Sequence, residues 1–226
     1  ISMTRMARRS IRVMATCALL GEAVGKAAAV AVRNGIGPHE VYLEHMKQVQ
    51  TLLLNEDCFL PSRTRQISEV CRHASLFGAD DTIRNGQDRA HEIYHTQGSE
   101  AACQIPAGEE IRYRFPETLL SCVHLVFDSD LNRSTLPVSE CERYHSMRAC
   151  QRLDSPQLYM PKTLCREFLL LGERGGKREE LLHVTDNRKR CWHLNLNKAF
   201  DGLVLIPISG WGESGRIPVI SFDFEG

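Results

Sequence analysis

The sequence predicts an α+β protein: a helical pair at the N-terminus, then an antiparallel β-sandwich or jelly roll. Three observations carry this. Apolar residues recur at helical spacing up to about Asp57 and alternate every second residue further on. Between the two regimes, "CFLPSRTRQ" around Pro61 reads as a linker. Beyond it, strand-like stretches are separated by glycine and other turn residues, with few helical stretches among them. The expected division is residues 1–57 for the helical segment, 58–66 for the linker and 67–226 for the sandwich.

The first helix is expected from about Arg12 to Arg33. Nine of the seventeen positions from Ala15 to Ala31 are Ala or Gly, so one flank has almost no side chains and wants a close neighbour. Asn34 and Gly35 supply the left-handed residue that ends a helix. Pro38 suits a first helical position, and Val41, Met46, Val49, Leu52 and Leu53 continue as one amphipathic helix lying on a surface. In the second part, "EIRYRFP" places Ile111, Tyr113 and Phe115 on one face, and "CVHLVFDSD" is rich in strand formers. "CWHLNLN" alternates Trp192, Leu194 and Leu196, and "GLVLIPIS" and "IPVISFDFEG" follow as two more short strands.

The 226 residues balance 28 lysines and arginines against 28 acidic residues. No global field therefore gathers nucleic acid or an anionic membrane, and neither is expected as a partner. The stretch nearest to a membrane span, Val13 to Val32, carries Glu22 and Lys26 and few bulky side chains. Nine cysteines, an odd number without a Cys-x-x-Cys pair, argue for reduced thiols in a cytoplasm, against a disulfide framework and against a bound metal. "NRS" at Asn132 is discounted as a glycosylation acceptor for the same reason. The chain opens at Ile1 with no visible signal peptide, as a processed or truncated piece would.

Gly21, Gly25 and Ala29 recur every four residues, a stripe that lets a backbone or a flat ligand approach closely. Thr16 and Cys17 stand in the first turn, where unpaired backbone N–H groups and the positive end of the helix dipole favour an anionic or electron-rich group. Arg5, Arg8, Arg9 and Arg12 just upstream are either a solvated basic arm or part of that attraction. A plain Ala/Gly helix buried in a core is the competing reading.

The stretch "RVMATCALLGEAVGKAAAVAVRNGIGPHEVYLEHMKQVQTLLLNEDCFLP" resembles the last part of the FAD-binding domain of FAD-dependent oxidoreductases related to the glutathione-reductase-type flavoproteins. The pattern there is Arg-x-Met-x-Thr-Cys, then Gly-Gln-Ala-x-Gly-x-Ala-Ala-Ala and a second helix ending in Leu-Leu-x-x-Asp. This chain keeps Arg12, Met14, Thr16, Cys17, Gly21, Ala23, Gly25 and Ala27 to Ala29, and departs at Glu22 and Lys26. The resemblance covers about the first sixty residues. It implies FAD as cofactor and places the helix N-terminus at the pyrimidine side of the flavin ring. There, N–H groups stabilise the charge that reduction builds. The implied cofactor residues are Arg12, Met14, Ala15, Thr16, Cys17 and Gly21, with Cys17 a small packing residue.

The later stretches "IRYRFP", "LVFDSDLNR" and "DNRKRCWHLNLN" are similar to a β-sandwich found downstream of that domain in some members, of the galactose-binding-like jelly-roll kind. Asp128, Asp130, Asn132 and Arg133 cluster at a strand end, where a polyol or a calcium ion could bind. Turn formation by the same residues is the plainer reading.

Three motifs are refused. "GWGESG", Gly210 to Gly215, fits G-x-G-x-x-G, but a strand follows it where the fingerprint needs a helix, so it reads as a hairpin turn. "HEIYH", His91 to His95, fits H-E-x-x-H without the long helix and third ligand that a zinc protease needs. No G-x-S-x-G elbow orders a Ser, His and Asp as a triad.

The expectation is the C-terminal part of a bacterial-type FAD-dependent oxidoreductase, its first helix closing the flavin site. An upstream portion or partner chain would hold the dinucleotide fingerprint and most of the pocket for a small-molecule substrate. The fragment alone is expected to be inactive. The rival is a carbohydrate-binding sandwich without catalysis, and metal-dependent hydrolysis through "HEIYH" is the outsider.

Overall fold

The structure is a computed structural model, and it describes residues 4, 13–89, 102–130 and 160–226. The chain divides into two compact units, residues 1–66 and 67–226.

In the first unit, helix α1 (Met14–Asn34) begins after Val13, whose backbone is extended. It ends at Gly35 (φ 64°), and the Ile36 N–H reaches back to the Ala31 carbonyl at 3.0 Å, the closure expected of a left-handed glycine. The expected second helix is two: α2 (Pro38–Glu44) and α3 (Met46–Asn55). His45 leaves helical geometry at φ −118° and ψ 9°, and this corner lets Val41, Val49 and Leu53 join Val30 in one small core. Pro38 opens α2, and the Glu40 carboxylate accepts the Gly37 N–H at 2.6 Å.

The second unit starts with a single-turn helix α4 (Glu69–His73) and strand β1 (Ser75–Phe77). A short 3₁₀ turn over Asp81–Arg84 precedes β2 (Cys103–Pro106) and β3 (Ile111–Phe127). Then come β4 (Cys165–Arg174), β5 (Lys177–Val184), β6 (Cys191–Gly210) and β7 (Arg216–Glu225). Every pairing is antiparallel, in the order β2-β7-β3-β6-β4-β5, with β1 on β3.

This hydrogen-bonded network folds over itself. Tyr113 has Leu76 and Leu203 as register partners, yet its ring meets Phe222 at 5.1 Å and Phe224 at 5.2 Å. Likewise Phe127 meets Phe168 at 5.0 Å, although β6 separates β3 from β4 in the pairing order. Two layers therefore face each other, and β3 and β6 run through both. The crossing point is the register shift between Arg114 and Thr118, where Pro116 removes a ladder N–H. Opposite lies Gly202, where a Cβ would sit 2.9 Å from the Tyr113 carbonyl.

The α+β class and the antiparallel β architecture are as expected. Two strand expectations need correction: "EIRYRFP" and "CVHLVF" are one strand, as are "CWHLNLN" and "GLVLIPIS". Bulges carry each strand across the fold, so neither is short. "GWGESG" joins β6 to β7, and β3 lies between them. It is a crossover loop, not a hairpin turn. The tight hairpin is β4–β5, where Gly175 and Gly176 both take positive φ, 57° and 76°.

Candidate functional site

Helix α1 has an unusual distribution of charge around its axis. Its two mid-helix charges lie on the packed side: Lys26 pairs with Glu56, and the Cys58 thiol donates to Glu22 at 3.0 Å. Ala23, Ala27, Val30 and Ala31 pack there too. The opposite side exposes Cys17, Ala18, Gly21, Val24, Gly25, Ala28 and Val32, without a charge over about four turns. Val24 is 64% exposed and Val32 83%. A helix lying on water does the reverse, so this face is shaped for a neighbour. At Gly21 and Gly25 a Cβ would meet nothing within 4 Å, and the stripe is bare.

At the N-terminus of α1, Met14 is 90% exposed and no side chain caps the first turn. The first intrahelical bond is Cys17 N–H to the Val13 carbonyl, 3.0 Å, so the N–H groups of Met14, Ala15 and Thr16 precede the ladder. The structure thus brings Met14, Ala15, Thr16, Cys17 and Gly21 to one helix end. Arg12 lies outside the described residues.

In the second unit, Asp128 accepts the Asp130 N–H at 2.9 Å, and Asp130 takes φ 58°. That is an Asx turn closing β3. Asn132, Arg133 and the "HEIYH" motif lie outside the described residues. Among the described residues, no three His, Cys, Asp or Glu side chains are placed to hold a metal ion.

A Ser, a His and an Asp do meet on the outer face of β3 and β7, a cluster the sequence reading missed. Asp88 stands between the other two, accepting the Ser221 hydroxyl at 2.7 Å and facing His124 Nε2 at 3.6 Å. A nucleophile needs the imidazole between serine and carboxylate. This order activates nothing.

Asn187, buried in the loop between β5 and β6, builds the end of the second unit. Its side chain donates to the Cys165 carbonyl at 2.8 Å and accepts the Trp192 indole N–H at 3.0 Å. Its backbone carbonyl accepts the Trp211 indole N–H at 2.7 Å. Arg166 and Arg188 stand over the Trp211 ring, 5.1 and 5.9 Å from its centroid, and Lys189 lies 5.0 Å from that of Trp192. The sequence signal was the pair of loops "TDNRKRCW" and "GWG", legible only once the fold joins them.

A cleft of about 700 Å³ beside β2 is lined by Asp80, Cys103, Arg216 and others. Its Asp80 carboxylate already caps the 3₁₀ turn, and Arg216 already donates to the Gln104 carbonyl. Burial pushes the thiols of Cys71, Cys122 and Cys165 up to about 12, which makes them packing groups.

Residues 1–53 match the model of a family described as FAD dependent oxidoreductase, the family that the sequence resembles. No curated protein matches the chain. Among solved structures, GH31 CBM32-2 bound to GalNAc is similar at 9% identity and TM-score 0.46, over 68% of this chain and 99% of that one. The family 32 carbohydrate-binding module of Streptococcus pneumoniae EndoD is similar at 9% identity and TM-score 0.43, over 69% and 97%. That of C. perfringens NanJ, in complex with galactose, is similar at 6% identity and TM-score 0.41, over 68% and 92%. The two-layer architecture of this chain rests on its own register and ring contacts.

Proposed function

We propose that the first unit is the closing piece of the flavin site of an FAD-dependent oxidoreductase, completed by an upstream portion or a partner chain. The observation that carries this is the charge-free, glycine-lined face of α1, open along about four turns, in a segment that the family model matches. The residues fit the group: a bare stripe admits a flat ring edge or a close backbone, and the uncapped first turn offers N–H donors to an electron-rich edge. Met14, Ala15 and Thr16 would hold that edge through their backbone, with Cys17 and Gly21 leaving room beside it and Arg12 bracing the approach. Bound FAD would supply the redox chemistry for a small-molecule substrate. Seven described cysteines outside any disulfide support a reducing, cytoplasmic setting.

The test mixes the purified chain with its upstream portion and FAD, then reads visible absorption after gel filtration. Flavin bands are expected only in the mixture. Gly21→Leu and Gly25→Leu should abolish them while leaving the helicity of the chain alone intact, since a side chain there meets nothing. Full flavin retention by both variants would overturn the reading.

A second reading concerns the other unit: it recognises a saccharide. It is favoured by the half-buried Trp211, held at a fixed angle by its N–H bond to Asn187 with polar side chains around it.

A further inference from the structure

Several cations of the second unit are neutralised by a carboxylate. Arg174 sits on Glu117, Arg178 on Glu110 and Glu173, and Lys198 on Glu179. At the Trp211 end, Arg188 shares Asp186 at 3.1 Å, whereas Arg166, Lys189 and Lys162 have no carboxylate within ion-pair distance among the described residues. The chain as a whole is neutral, so this excess is local.

How Arg166 is held matters more than the count. The Arg166 guanidinium lies over the indole and donates no hydrogen bond to a described residue, which leaves its planar fork available to a carboxylate. Trp211 is itself fixed by Asn187, and Asn187 also accepts the Lys189 backbone N–H at 2.9 Å. Asn187 therefore orients both the aromatic surface, through its backbone carbonyl and its amide, and the loop that bears Arg188 and Lys189.

We propose that this end of the second unit binds an acidic saccharide, a chain of uronate sugars. Arg166 and Lys189 pair with its carboxylates, and the C–H face of a sugar ring lies against the tryptophan surface. The inference rests on the saccharide reading and narrows it to one class. A nucleic acid is disfavoured because the cations here are few and Arg188 is already shared with Asp186, whereas a phosphate backbone needs a continuous track.

The test titrates the full chain with oligogalacturonate, with a neutral galactan of equal length and with single-stranded DNA, following tryptophan fluorescence. Oligogalacturonate should bind at least about tenfold more tightly than galactan, and weaken about tenfold or more between about 50 and 500 mM salt. Arg166→Gln should weaken it about tenfold, and Lys198→Gln, remote from this loop, should not. Equal affinity for both saccharides overturns the acidic class and leaves the saccharide reading standing. Binding of neither overturns both, and tighter binding of DNA overturns the inference in favour of a polyphosphate. An Arg166→Gln variant that binds normally with unchanged circular dichroism removes the stated site.

Discussion

Asn187 ties together groups far apart in the chain: the Cys165 carbonyl, two indole N–H groups and its own loop. Replacing it with alanine removes the side-chain bonds and leaves the Trp192 N–H and the Cys165 carbonyl without the Asn187 partner. We expect Asn187→Ala to cost about 2–4 kcal/mol, read from the urea midpoint of the second unit's tryptophan signal. A cost under about 0.5 kcal/mol, the range of surface substitutions, would remove its role as organiser. The cysteines give a second prediction at this scale. A thiol pushed up to about 12, as at Cys71, Cys122 and Cys165, is ionised to about one part in ten thousand at pH 8. Iodoacetamide at that pH should label the exposed Cys17 first, and peptide mapping should find those three unmodified in the native chain. Early labelling of Cys165 would contradict its burial.

At the level of elements, two glycines show how placement decides what a residue does. Gly25 lies in the middle of α1 with open space at its Cβ position. Gly25→Ala should therefore stabilise the isolated chain by about 1 kcal/mol through helix propensity alone. Gly172 lies in β4, where a Cβ would stand 2.3 Å from the Phe200 ring. Gly172→Ala must displace that buried ring and should lower stability by about 1–3 kcal/mol, as overpacking does. Thermal melts of the two variants should move in opposite directions, and a shared sign would show that one environment is misplaced. The β4–β5 hairpin teaches a related lesson. "GERGGKREELLH" carries a two-glycine turn signal, but its Glu, Leu and Lys content suits a helix as well as a strand. Pairing with β6 on one side decides for strand.

For the molecule as a whole, acid should act on the ion-pair chain that spans Glu110, Arg178, Glu173 and Arg112. The hydrogen bond from Arg178 holds the Glu110 carboxyl below the usual glutamate value of 4.5. A depressed carboxylate stabilises the fold above its unfolded value, and the contribution disappears as pH falls through the folded one. The stability gap between wild type and Glu110→Gln, about 0.5 kcal/mol for so exposed a pair, should be constant from pH 7 to about 5 and close as pH falls from 4.5 through the lowered folded value. A gap that widens in acid would reverse the assigned sign. The sequence by itself determined the helical-then-β order, the glycine end of α1, its bare stripe and the antiparallel class. These are local matters of period, propensity and turn chemistry, which neighbouring residues settle among themselves. Tertiary structure decided that two pairs of short strands are two long ones bent at bulges, that α2 and α3 part at His45, and that "GWGESG" crosses over β3. It also joined Trp211, Asn187 and Arg166, separated in sequence by loops and strands, into one surface. Such features depend on which non-local surfaces meet. A rule of period two or 3.6 contains no information about that.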